Sequence, residues 1–165
     1  MNPETLIQLF GSFPYWIAVI LIAMLPIAEL RLSIPIAILV FEFDPVTAYL
    51  LSVFGNMIPV IPLLLFLEPV SNYLRRWHIG DVFFTWLFKR TRQNHNARFE
   101  KYGTYALAMF VGVPLPVTGA WTGCAAAFVF GIKFKHSLAA ILGGVMLAGL
   151  IMTVLTVTGK AVVSM

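Results

Sequence analysis

The sequence predicts an all-α integral membrane protein built as an inverted repeat, each half a re-entrant helical hairpin plus a transmembrane helix, with a cytoplasmic amphipathic linker between the halves. Three observations lead there. Of 165 residues, 60% are hydrophobic and 11% charged, against about 45–50% and about 25% in soluble domains. Two of the long apolar runs are interrupted at their centres by proline, glycine and, in the first, charge. Nine of the eleven Lys and Arg residues fall in the connectors between runs. No segment is left for a separate soluble domain, so residues 1–165 read as one membrane domain: repeat 1 at about 14–67, an interfacial linker at 68–104 and repeat 2 at about 105–158.

The first run, Pro14 to Phe41, is a poor cleavable signal peptide. Its leader carries Glu4 and no Lys or Arg, and no small-residue cleavage site precedes Glu29. At about 28 residues it is too long for one upright crossing and too short for two, since about 20 residues span the hydrocarbon core. Its centre reads Pro26-Ile-Ala-Glu29-Leu-Arg31-Leu-Ser33-Ile-Pro35. Proline removes a backbone donor and clashes with the preceding turn, so a helix breaks here. Phe41-Glu-Phe-Asp44 is a short acidic connector, and Val46 to Leu67, about 22 residues, fits a single crossing.

The second half repeats the plan. Tyr105 to Ile132, again about 28 residues, is interrupted by Pro114-Leu-Pro116-Val-Thr118-Gly119-Ala-Trp121-Thr122-Gly123. A basic connector, Lys133-Phe-Lys135-His136, leads to Ser137–Thr158, a second crossing of about 22 residues. Between Glu68 and Lys101 lie seven basic and three acidic residues. If both long runs are hairpins, this segment and the Lys133 connector share one face; if both are full crossings, they fall on opposite faces. The positive-inside tendency selects hairpins, with the basic loops cytoplasmic and Glu42 and Asp44 outside, in the cell membrane. An offset of about 91 positions superposes Glu29 on Ala120 and Arg31 on Thr122, so the two tips coincide. In the linker, Asp81 would cap an interfacial helix through Phe83, Phe84, Trp86, Leu87 and Phe88 ahead of Lys89, Arg90 and Arg92. The bland alternative is a solvated linker that sets orientation.

Glu29 and Arg31 are the one ionisable pair inside an apolar run. Such residues usually face a cavity or a partner. Read functionally, Glu29 carries a proton and Arg31, whose planar fork matches phosphate, holds an anionic headgroup. Read structurally, the two pin the hairpin. The second tip offers the Thr118 and Thr122 hydroxyls, Trp121, and free backbone N–H groups, and a helix arm that restarts after the break points its partly positive end at the midplane. Trp121 either packs or meets substrate, and Asn56, between Gly55 and Pro59, either bonds to a tip or coordinates an ion. Gly119-xxx-Gly123 and Gly143-Gly144 read as close helix approaches. Substrate or ion binding is therefore assigned to Glu29, Arg31, Asn56, Thr118, Gly119, Trp121 and Thr122.

Glu29-Leu-Arg31-Leu-Ser33-Ile-Pro35, followed by Gly55-Asn56-Met-Ile-Pro59, resembles the N-terminal half of the small multidrug export protein family. Pro114-Leu-Pro116-Val-Thr118-Gly119-Ala-Trp121-Thr122-Gly123 looks like that family's second signature. The family is in turn similar to the DedA and VTT superfamily of re-entrant membrane proteins, some of which move undecaprenyl phosphate and depend on the proton gradient. The Gly119–Gly123 tip lacks the acidic and arginine residues that DedA proteins carry in their own motifs.

Together these readings predict a secondary transporter, proton-coupled through Glu29, for an amphipathic or anionic small molecule or lipid. A lipid-carrier flippase of the undecaprenyl-phosphate type is a narrower form, and a non-transporting assembly or scaffold protein is the competing class. An enzyme is not expected: there is no metal-ligand helix motif and no nucleophile elbow. No cofactor or metal is expected either, with His78, His95 and His136 far apart and Cys124 the sole cysteine. The net charge of +4 reflects topology, not a nucleic-acid surface. Membrane lipids are the expected partners. Two crossings and two hairpins give broken backbone little cover, so a homodimer is expected, and cross-linking in native membranes that traps only monomer would contradict it.

Overall fold

In the computed structural model, residues 14–74, 97–114 and 118–163 are described. All regular structure among them is helical, in seven helices: α1 (Tyr15–Met24), α2 (Glu29–Leu39), α3 (Pro45–Met57), α4 (Val60–Leu74), α5 (Ala97–Gly112), α6 (Ala120–Val129) and α7 (Phe134–Val163). The expected interfacial helix around Trp86 lies outside the described residues.

The first apolar run does break into two short helices, but at residues 25–28 and not across the whole Pro26–Pro35 segment. Pro26 sits in the turn, whereas Pro35 lies inside α2. An interior proline costs a helix one hydrogen bond, here the one that the Arg31 carbonyl would have accepted. The rest of α2 continues around it. The chain then turns through Glu42, a non-glycine residue at φ 55°. Asp44 starts α3 by accepting from the Val46 and Thr47 N–H groups at 3.1 and 3.0 Å. Pro45 occupies the first helical position, where its missing donor has no partner to lose. Pro59 separates α3 from α4, and the two together form one apolar rod, Pro45–Leu67, with mean hydropathy 2.2.

In the second half, the 113–119 segment separates α5 from α6. The far end of α6 closes on Gly131 at φ 63°. Ile132 N–H donates to the Ala127 carbonyl at 2.9 Å and Gly131 N–H to Phe128 at 3.1 Å, the paired bonds of a glycine-ended helix. A short connector leads to α7, a longer apolar rod with mean hydropathy 2.4 over Phe134–Val162.

Both rods are long enough to cross a hydrocarbon core. Only 28% and 33% of their most apolar windows are buried within the chain. A core helix of a soluble protein would be mostly covered; here Leu50, Phe54, Ile61, Leu65, Phe66 on one rod and Met146, Leu147, Leu150, Val154, Leu155 on the other face outward. Apolar surface of that extent needs lipid or another apolar partner. The chain is a membrane protein.

Packing brings the breaks to the centre. α1 packs on α3 and α5 on α7, while α2 lies against α7, α6 against α4, and α3 against α7. Gly55 and Gly144 permit the first two contacts: a Cβ on Gly55 would lie 2.7 Å from the Ile20 carbonyl oxygen, and one on Gly144 would lie 2.7 Å from that of Ala108. The core between them holds Val19, Leu30, Ile34, Ala48, Val60, Val111, Cys124, Ile141 and Val145.

Candidate functional site

The start of α2 and the start of α6 meet, and each supplies what the other lacks. α6 begins after Gly119, which has no side chain to accept its first N–H groups. Four such donors are left over at any helix start and need an acceptor when buried. The Glu29 carboxylate fills that role from the other half of the chain. Its Oε1 accepts from Trp121 N–H at 3.4 Å, and the Ala120 N–H also contributes. A carboxylate is the group that the partly positive end of a helix favours. Glu29 is only 6% exposed.

Gly119 makes room for this arrangement. A Cβ there would overlap the Glu29 carboxylate. The backbone of Glu29 is bent to suit: its φ of 45° is left-handed, a conformation that costs a non-glycine residue about 1–3 kcal/mol and persists only where surroundings impose it.

Arg31 reaches the same junction from one half-turn on. Its Nη2 donates to the Thr118 carbonyl. The hydrogen bonds of both charged residues thus run across the junction into the second half of the chain. A third bond returns the other way: the indole Nε1 of Trp121 donates to the Met24 carbonyl, at the end of α1, at 3.1 Å. Three residues in sequence pattern Glu-x-Arg and Trp therefore tie two breaks that lie about 90 positions apart.

Glu29, Arg31, Asn56, Thr118 and Gly119 line one small cavity of ≈ 10 Å³, about the room one water needs. Apolar side chains close it, among them Val111 from α5 and Val145, Ala148 and Met152 from α7. Asn56 is 1% exposed, and neither its Oδ1 nor its Nδ2 has a hydrogen-bond partner. The two remaining residues assigned from sequence stand differently. Trp121 acts through its N–H groups as described, and Thr122 turns its hydroxyl back to the Gly119 carbonyl at 3.2 Å. Thr118 likewise donates its hydroxyl to the Val113 carbonyl at 2.5 Å.

Sequence reasoning missed the apolar wall from α7. Its signal was present, as Ile141, Val145, Ala148 and Met152 recur at helical spacing on one face. It also missed a larger cavity, ≈ 260 Å³, remote from Glu29 and lined by Leu64, Phe128, Lys133, Phe134 and Ser137. Among the described residues no cluster of His, Cys, Asp and Glu has the spacing to hold a metal.

All the residues of this junction but Met24 fall within a recognised sequence pattern. The model of the family described as "Putative small multi-drug export protein" matches residues 29–151, from the first residue of α2 to the middle of α7. The chain belongs to this family. No curated protein and no solved structure matches it. The match to the small multi-drug export family begins at Glu29 itself and takes in Arg31, Asn56, Gly119 and Trp121.

Proposed function

We propose that this chain is a proton-coupled secondary transporter whose substrate carries an anionic group, and that Glu29 holds the place of that group while the site is empty. The observation that carries the reading is the Glu29 carboxylate at the N-terminus of α6. A helix start that accepts one carboxylate is suited to another anion, phosphate or carboxylate. While Glu29 is charged, it satisfies the Trp121 and Ala120 donors. A proton on Glu29 removes the charge and weakens both bonds, because hydrogen bonds to ionised acceptors are roughly twice as strong as neutral ones. The same N–H groups then become available to the substrate, beside the Arg31 guanidinium, whose charge Glu29 no longer offsets. The charged Glu29 carboxylate and the substrate's anionic group thereby alternate at a single place, and the anion binds together with a proton.

The surrounding architecture supports alternating access. α6 begins 91 positions after α2, the offset at which the two sequence halves superpose. The contacts exchange in the same way: α2 lies on the long rod of the second half, and α6 on the rod of the first. This is the pattern expected of two re-entrant hairpins in inverted orientation, with the basic connectors on the cytoplasmic face. A cavity of ≈ 10 Å³ is too small for a headgroup, so substrate entry requires the helices around it to move apart. Lipid carriers with a phosphate headgroup are a narrower form of the same proposal, since outward apolar faces leave a path for an acyl or prenyl tail.

The three bonds across the junction also favour a second reading, in which Glu29 and Arg31 hold the halves together and nothing moves. Purified protein in liposomes separates the two. Transport predicts that Glu29→Gln is expressed and folded as wild type but loses pH-gradient-driven uptake of an anionic amphiphile by 10-fold or more. Equal uptake in both proteins removes Glu29 from the mechanism. Loss of folded protein favours the structural role.

A further inference from the structure

We propose that a proton route that hydrates as α2 and α3 part runs between these two helices, from Glu29 to the acidic connector at residues 40–44, lined by Asn56, Ser52 and Ser33. The observation is a set of orphans. Ser33 Oγ, Ser52 Oγ and both polar atoms of Asn56 are buried without any hydrogen-bond partner, and the three residues are 0%, 0% and 1% exposed. Buried polar groups are normally paired, and water is the usual partner where protein supplies none. A serine in a helix can bond back to its own backbone, as Thr153 and Thr156 do on α7 at 2.8 and 2.7 Å. Ser33 and Ser52 do not.

Their positions form a line. α2 and α3 pack together and run antiparallel through the 40–44 connector. Ser33 lies six residues before the end of α2 and Ser52 seven after the start of α3. At 1.5 Å per residue both are about 10 Å from the connector. Glu29 and Asn56, four residues further from it on each helix, are both about 16 Å deep, near the middle of a core roughly 30 Å thick. Asn56 lines the Glu29 cavity directly, so the seam opens onto the carboxylate. The mouth carries Glu42 and Asp44, both exposed. Around Glu29 the cavity wall holds one other charge, Arg31; Asn56 of α3, Val111 of α5 and Val145, Ala148 and Met152 of α7 are neutral. Arg31 is directed to the Thr118 carbonyl, leaving Asn56 as the polar residue of the cavity wall on the α3 side.

The use of this route rests on the transport reading; its hydration does not. The test places single cysteines at 33, 52 and 18 in a Cys124→Ala background. Ala18, on α1, is equally buried but off the route. A small cationic methanethiosulfonate reacts with thiols that water reaches. Ser33→Cys and Ser52→Cys are expected to react at least 10-fold faster than Ala18→Cys; equal rates for all three overturn the route. Because cysteine variants can misfold, a second pair uses pH-gradient-driven proton uptake into liposomes: Ser52→Val is expected to slow it 10-fold or more and Ser52→Thr to restore it. Undiminished uptake with Ser52→Val also overturns the route. Fast labelling in a protein whose wild type takes up no protons supports the hydrated seam and rejects the transport reading alone.

Discussion

At position 119 a methyl group would overlap the Glu29 carboxylate, so Gly119→Ala is expected to displace it from α6 and leave the Trp121 and Ala120 donors buried without an acceptor. Overpacking of this kind costs about 1–3 kcal/mol, and the exposed donors add to it. The more specific expectation is non-additivity. In wild type, Glu29→Gln removes the charge from the helix start; in the Gly119→Ala background that interaction is already gone. Thermal unfolding in detergent should show the double variant less destabilised than the sum of the singles by about 1 kcal/mol or more. Additive losses would mean that Gly119 and Glu29 act independently. Glu29, Arg31 and Gly119 were legible in the sequence because charge and glycine are conspicuous in an apolar run. Their pairing was not. Glu29 and Trp121 are 92 positions apart, and nothing in composition says that one carboxylate will cap another hairpin's helix. The orphaned Ser33 and Ser52 were silent for a different reason: serine is common in membrane helices, where it usually bonds to its own backbone.

Helix lengths were the most legible level, since the thickness of the hydrocarbon core sets how many apolar residues a crossing needs. The rods of Pro45–Leu67 and Phe134–Val162 follow the two expected crossings closely. Break positions were less legible. Proline weakens a helix only locally, and Pro35 is carried within α2 at the expense of one hydrogen bond. The start of α3 carries its own prediction. The Asp44 carboxylate lies below the usual range for an aspartate because the Thr47 side chain and N–H, and then the Val46 N–H, bond to its charged form. A carboxyl group held lower in the folded state than in the unfolded one stabilises the fold at pH values above the unfolded value, about 3.9. That contribution fades as pH falls through the folded value. Asp44→Ala should therefore lower the melting temperature more at neutral pH than near pH 2, where only the neutral cap remains; an equal loss at both would mean that the charge of Asp44 adds nothing to the cap.

Across the described residues, two interrupted helices from opposite halves are brought together between two apolar rods, and Glu29, Arg31 and Asn56 are gathered at their junction. Composition foretold a membrane protein, the Glu29–Pro35 and Pro114–Gly123 motifs resembled this family, and the match over residues 29–151 agrees. What the sequence alone conveyed least was closure: the cavity at the junction is ≈ 10 Å³, because α5 and α7 press apolar side chains over a site that charge patterning marks as open. Every functional step above requires that both breaks turn back within the bilayer. The most direct measurement is side-specific labelling of single cysteines at Glu42, Arg90 and Lys133 in sealed vesicles of known orientation. With two hairpins, positions 90 and 133 label from the cytoplasmic side and 42 from the other. Labelling of 90 and 133 from opposite sides would make the 105–132 run a full crossing and contradict the account.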